Sequence, residues 1–247
     1  YWMATGNQSF GYFFGGAPGP VSDIQRLTYT NDTAVAVQRG DLTAVNRLAG
    51  AVGTSDYGWI GGGYDPDKSG IERIDYSNDS ATALARSYLS VARSSVGATG
   101  TTSYGYFGGG GYPSLKSTVD RIDYSSDTTT TVAKGPLASS TKGRKGVGNE
   151  NFGYFGGGSN PSTGISSVDR IDYSSDTTAA AAKGPLGTAR YGLAATGNTS
   201  YGYFGGGHST LSTVERIDFS SDTPTAAAKG PLSVGRKYPT ATSSRVN

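Results

Sequence analysis

The sequence predicts an all-β fold, a β-propeller of five four-stranded antiparallel blades. Three observations lead there: a repeat that returns every 47 to 49 residues, four strand signals within each repeat, and a proline that marks the last of them as a sheet edge. The repeat is carried by Phe10-Gly-Tyr-Phe-Phe-Gly-Gly16, Tyr57-Gly-Trp-Ile-Gly-Gly-Gly63, Tyr104-Gly-Tyr-Phe-Gly-Gly-Gly110, Phe152-Gly-Tyr-Phe-Gly-Gly-Gly158 and Tyr201-Gly-Tyr-Phe-Gly-Gly-Gly207. Starts at 10, 57, 104, 152 and 201 give spacings of 47, 47, 48 and 49. A unit of that size cannot bury its own faces, so the core must be shared between neighbours. The chain therefore reads as one domain over 1–247, with repeats of approximately 1–46, 47–93, 94–141, 142–190 and 191–237 and a tail over 238–247.

The elements are clearest in the last repeat. Leu193-Ala-Ala-Thr-Gly197 is short and small and meets the turn residues Asn198 and Thr199, which predicts an inner strand and a tight turn. Tyr201 to Phe204 is aromatic and ends on a glycine triplet, where positive φ angles or close backbone approach are permitted. Val214-Glu-Arg-Ile-Asp-Phe219 is the third strand, with counterparts at Ile71, Val119 and Val168. It closes on Ser-Ser-Asp-Thr, whose aspartates (Asp127, Asp176, Asp222, with Asp79 and Asp32 in variant turns) are expected to cap their own turns. The fourth segment is Ala179-Ala-Ala-Ala182 in one repeat and Thr129-Thr-Thr-Thr-Val132 in another. Positions equivalent in a repeat share a conformation, and the Thr/Val version favours strand. Lys-Gly-Pro-Leu then ends it, because proline cannot donate a ladder bond. Arg73, Arg121, Arg170 and Arg216, each flanked by carboxylates, could ring an anion but are expected instead to make salt bridges or backbone bonds between blades.

Tyr203-Phe204-Gly205-Gly206, Val214-Glu215-Arg216-Ile217-Asp218 and Gly230-Pro231-Leu232 resemble the kelch repeat in order and spacing. The resemblance covers the whole chain and implies a kelch-like β-propeller. It departs where kelch repeats carry a tryptophan after the turn, since Thr129, Thr178 or Pro224 stands there. The wording Asp-Arg-Ile-Asp-Tyr-Ser-Ser-Asp with Tyr-Gly-Tyr-Phe-Gly-Gly-Gly is also similar to repeats in structural and tail-fibre proteins of tailed bacteriophages, particularly those of marine cyanobacteria. That likeness implies a virion role and a place on the particle surface.

Composition narrows the function. Charged residues are 16% of the chain, the net charge is +2 and the cations are scattered, so no nucleic-acid footprint is present. No apolar run reaches the roughly 18–20 residues of a membrane span, and none is expected to insert. The chain opens at Tyr1 in mid-repeat, which reads as a segment of a longer protein. Zero cysteines and a single histidine, His208, leave too few ligands for a transition-metal site or for the copper-radical chemistry of galactose-oxidase-like propellers. Asp65 and Asp67 alone are weak grounds for Ca²⁺. No cofactor and no metal are expected. No Lys-Ser or Lys-Thr follows the glycine triplets, which excludes a P-loop.

Function is expected in what varies. The loops between glycine triplet and third strand differ in length and chemistry, and they share a face with the fourth-strand exits at Asn46, Arg93, Thr141, Arg190 and Arg236. Tyr64, Tyr112 and His208 are expected to stack on sugar rings. Asp65, Asp67, Lys68, Lys116, Asn160, Arg93, Arg190 and Arg236 are expected to hydrogen-bond hydroxyls or carboxylates. The reading is a non-enzymatic virion adhesion domain for a host-surface glycan or receptor, meeting other virion proteins and, through a region outside this chain, further copies of itself. The alternatives are an architectural or protein-binding propeller and a carbohydrate-active enzyme.

Overall fold

The computed structural model describes residues 2–16, 21–64, 66–111 and 114–242. It shows five four-stranded antiparallel sheets, each in simple up-down order, arranged as the blades of a propeller. Blade one is Met3–Gly6, Phe10–Phe14, Val21–Thr28 and Val37–Asn46; blade two is Gly50–Gly53, Tyr57–Gly61, Gly70–Asp75 and Leu84–Tyr88. Blade three is Gly97–Gly100, Tyr104–Gly108, Val119–Asp123 and Val132–Lys134; blade four is Lys145–Gly148, Phe152–Gly156, Val168–Asp172 and Ala181–Lys183. Blade five is Ala194–Gly197, Tyr201–Gly205, Val214–Asp218 and Ala227–Lys229. Among the described residues no helix is long and apolar enough to cross a membrane.

The inner strands are built of small residues because each packs edge-on against the next around a central channel. In blades two, three and four the first glycine of the triplet admits the next blade's ring. A Cβ on Gly156 would stand 2.7 Å from Phe204, and one on Gly61 2.8 Å from Phe107. Blade one inverts the pattern: Phe14 fills the glycine position and blade two presents the smaller Ile60, both fully buried in one cluster. Side-chain volume has moved across the interface without a change in packing.

Blades are locked by an aspartate that crosses between them. Asp127, at the turn of blade three, accepts from Trp59 Nε1 at 2.9 Å, Arg73 at 3.0 Å and Arg86 at 2.6 Å, all in blade two. Asp79 takes Tyr12, Arg26 and Arg39 in the same way; Asp176 takes Tyr106, Arg121 and Lys134; Asp222 takes Tyr154, Arg170 and Lys183. Each aromatic donor also stacks on the ring that ends the next blade's third strand, from Trp59 on Tyr124 at 4.1 Å to Tyr154 on Phe219 at 4.8 Å. These rings supply the interblade contact that the missing tryptophan leaves open.

Two expectations are corrected. The turns are capped not by Asp127, Asp176 or Asp222 but by the aspartate four residues earlier: Asp123 accepts from the Ser125 amide at 2.9 Å, and Asp75, Asp172 and Asp218 act alike. The outer strand of blade four covers Ala181–Lys183 rather than the alanine run from 179. The Ala180 amide bonds to the Pro136 carbonyl of the preceding blade, so the start of the run is held by its neighbour and not by its own sheet. The expected arginine bridges are present at Arg73, Arg121 and Arg170.

Replacing Asp127 with alanine should cost about 3 kcal/mol of unfolding free energy, the low end for a broken buried pair because both guanidinium partners reach solvent. Denaturant melts of Asp127→Ala and Asp123→Ala distinguish the roles, the second losing only about 1 kcal/mol as a turn cap does.

Burial pushes the four crossing carboxyls up, but hydrogen bonds and facing cations outweigh it, and all four end below the ordinary carboxylate value. Their stabilisation is therefore complete above the unfolded value, about 3.9, and drains away as pH falls below it toward the folded values. Acid melts should steepen below about pH 4, and Asp127→Asn should flatten that dependence.

Candidate functional site at the channel mouth

The chain direction fixes which face can vary. Inner strands run away from one face, second strands return to it, and third and outer strands repeat the cycle. Loops after the glycine triplets and the connections between blades thus share that face, while capped turns occupy the other. Backbone bonds tie loop to connection: Arg93 N donates to Lys68 O at 2.9 Å, and Arg190 N to Ile165 O at 3.0 Å.

At the centre of this face the channel opens into a cavity of about 550 Å³. It continues into the channel proper, about 560 Å³, past Met3, Ala49, Val96 and Lys145. The mouth is built from a repeated pair of positions. The residue after each glycine triplet donates its amide to the residue that leads into the inner strand: Tyr64 to Arg47 at 2.8 Å, Gly111 to Ser94 at 2.7 Å, Ser159 to Lys142 at 2.9 Å and His208 to Tyr191 at 2.7 Å. The backbone frame is constant and the side chains are not. Arg47 lies over the Tyr64 ring at 5.1 Å, and His208 stacks on Tyr191 at 4.4 Å.

Arg47, Lys142 and Lys145 line the mouth, and no carboxylate does among the described residues. Trp2, Tyr64, Tyr191 and Tyr238 give it rings. Lys145 stands where the mouth meets the channel without a carboxylate partner among the described residues. Burial lowers its pKa from the ordinary lysine value, because the ammonium has lost water and gained no counter-charge.

Of the residues expected to bind, Tyr64 lines the mouth and His208 borders it through Tyr191. Asp67, Lys68, Lys116 and Asn160 lie on the loops outside it; Lys68 Nζ is bonded to Val45 O and Lys116 Nζ to Ser114 Oγ at 3.1 Å. Asp65 and Tyr112 lie outside the described residues. Arg93 and Arg190 are corrected: both are fully buried and committed to the next blade. Arg93 holds Asp120 at 2.7 Å and the Gly109 carbonyl at 2.9 Å, and Arg190 holds Glu215 and the Gly206 carbonyl. In blade four, where Thr141 takes that position, Arg144 does the work three residues later, against Asp169 at 3.3 Å. Arg236 is exposed.

The residues missed were Arg47, Lys142, Lys145 and Tyr191. For Arg47, Lys142 and Tyr191 a signal was present: one position just ahead of the inner strand reads Arg47, Ser94, Lys142 and Tyr191, as variable as the loops. Lys145 opens an inner strand that is otherwise of small residues, and the repeat gave no sign of it. No protein-family model matches the chain, and no curated protein matches it.

The residue following that position turns with positive φ at every blade junction: Leu48 at 62°, Ser95 at 56°, Gly143 at 69° and Gly192 at 62°. An L side chain there costs roughly 1–2 kcal/mol. Gly143→Ala should therefore destabilise by about 1 kcal/mol, since its Cβ would meet nothing within 4 Å and only the backbone is tested. Ser95→Gly should be neutral or slightly stabilising, and paired thermal melts read both.

Proposed function

We propose that this propeller is a non-catalytic recognition domain of a virion that binds an acidic host-surface glycan at the channel mouth. The observation that carries the reading is the joining of four aromatic rings with three cations around one opening, with no facing carboxylate among the described residues. Rings take the apolar faces of sugars, and Arg47, Lys142 and Lys145 take a carboxylate or sulfate in a partly desolvated setting where charge-assisted bonds are strong. A mouth of about 550 Å³ has room for one or two sugar residues at its floor.

The resemblance of the repeats to kelch propellers and to tailed-phage structural proteins directs the reading to a virion surface. Glycoside hydrolysis needs two carboxyl groups roughly 5–10 Å apart across the scissile bond. Glu150, at the far end, is the carboxylate lining the channel among the described residues, which favours binding over turnover.

The test is a glycan array and host-cell attachment assay with the wild-type chain, Tyr64→Ala and Lys145→Met, with melting temperatures as a folding control. Acidic glycans should be retained and neutral analogues not. Each variant should bind at least about tenfold more weakly, a loss of about 1.4 kcal/mol. Affinity should also fall with added salt. It should fall as pH rises through the lowered pKa of Lys145, earlier than an ordinary lysine would require. Equal retention of neutral glycans, or hydrolysis of the retained ones, would overturn the reading.

A further inference from the structure

We infer that the seam between blade five and blade one is the docking surface for a sixth blade of the same repeat chemistry, formed by chain that follows Thr242. Residues 236–242 already hold the place of that blade's inner strand. The Gly207 amide donates to Arg236 O at 2.9 Å, as the Gly158 amide does to Arg190 O and the Gly63 amide to Arg93 O. Tyr238 has φ 51°, matching Leu48, Ser95, Gly143 and Gly192 at the same step. Thr242 lies against Gly6 and Gly11 and bonds the Tyr29 hydroxyl; Thr5 stands in the same relation to Gly53, Gly58 and Tyr76 in the next blade. In every blade the inner strand is followed in sequence by its own second, third and outer strands, which makes chain after Thr242 the occupant.

Both walls of the seam carry interblade groups without their counterparts. On blade five, Tyr203 is half-buried where Tyr12, Tyr106 and Tyr154 are fully buried, and neither Arg216 nor Lys229 meets a carboxylate of another blade among the described residues. A Cβ on Gly230 would meet nothing, although Gly135 and Gly184 are pressed against the next blade's backbone. Gly205 likewise faces no neighbouring ring, although Gly61, Gly108 and Gly156 each do. On blade one, Asp32 is exposed while Asp79, Asp127, Asp176 and Asp222 are buried in their latches, and Phe13 is half-buried while its equivalents Ile60, Phe107, Phe155 and Phe204 are not exposed at all.

Arg236 adds an independent sign. At its position Arg93 and Arg190 are buried against the next blade's acidic third-strand residue and glycine carbonyls. Arg236 is exposed. The occupant is thus defined chemically: a turn aspartate toward Arg216 and Lys229, an acidic third-strand residue toward Arg236, and an aromatic with an arginine toward Asp32.

The test compares the 247-residue chain with one in which a copy of residues 198–235 follows Ser243. In the shorter chain, Arg170→Ala should lower the melting temperature by several degrees, while Arg216→Ala, Arg236→Ala and Asp32→Ala leave it unchanged. In the longer chain melting should rise, and those same three substitutions should become destabilising. The copied aspartate, changed to alanine, should reproduce the effect of Arg216→Ala. If the added segment exchanges its amides freely, or if Arg216→Ala stays silent in both chains, the inference fails. Self-association of the shorter chain that Arg216→Glu abolishes would also overturn it, giving the seam to a second copy.

Discussion

The structure depends on one buried carboxylate per interface, the aspartate that leaves its own turn to collect an aromatic donor and two cations from the blade behind it. Within a blade, four short strands of mostly small and aromatic residues have little to bury by themselves. The latch fixes the angle at which one sheet meets the next, and with it the stack of the donor ring on the ring ahead. Of its two cations, one comes from the third strand and one from the outer strand of the preceding blade, so a single carboxylate ties together two strands that the ladder joins by only three residue pairs in blades three and four. A carboxylate with three donors is satisfied, whereas the same group with one donor would be a net cost at that depth.

The fold was legible because its signal is periodic. Five copies of an aromatic strand ending in glycine cannot be explained by local propensity, and the repeat forced the alanine run of blade four into the conformation of a threonine run. The aspartates were misread because a sequence shows spacing along the chain and not across it. Asp123 and Asp127 both stand beside a Ser-Ser turn, and either could cap it on local rules. Only the position of the neighbouring blade decides that Asp123 stays and Asp127 crosses. Arg93 and Arg190 failed for the same reason: a position on the variable face was taken for exposure, yet the guanidinium is long enough to turn inward to the glycine carbonyls of the next blade.

The mouth shows how such a scaffold can carry specificity. Glycine triplets and latches hold the backbone so firmly that the amide bond between the post-triplet residue and the lead-in residue recurs from blade to blade with nearly one length. What each pair presents is then free: a tyrosine under an arginine in blade two, glycine and serine in blade three, serine and lysine in blade four, a histidine on a tyrosine in blade five. Substituting either member leaves the frame intact, because the bond that positions the pair is made by backbone. Recognition can change here without a compensating change in the core.

The latch also has a direction, and the direction constrains assembly. Every blade offers donors forward and a carboxylate backward, so each interface is heterologous, the same two surfaces meeting head to tail. Such a series has two terminal faces, complementary to each other, unless rotation brings them together. The Phe14 and Ile60 exchange shows that an interface tolerates a shift of bulk provided both sides shift. It does not tolerate an absent partner, because a buried aspartate without cations or a ring without its stack loses the terms that made the interface favourable. The terminal faces therefore differ from the internal ones in the sense this logic requires: Asp32 is in water, Tyr203 is half in water, and neither is buried alone.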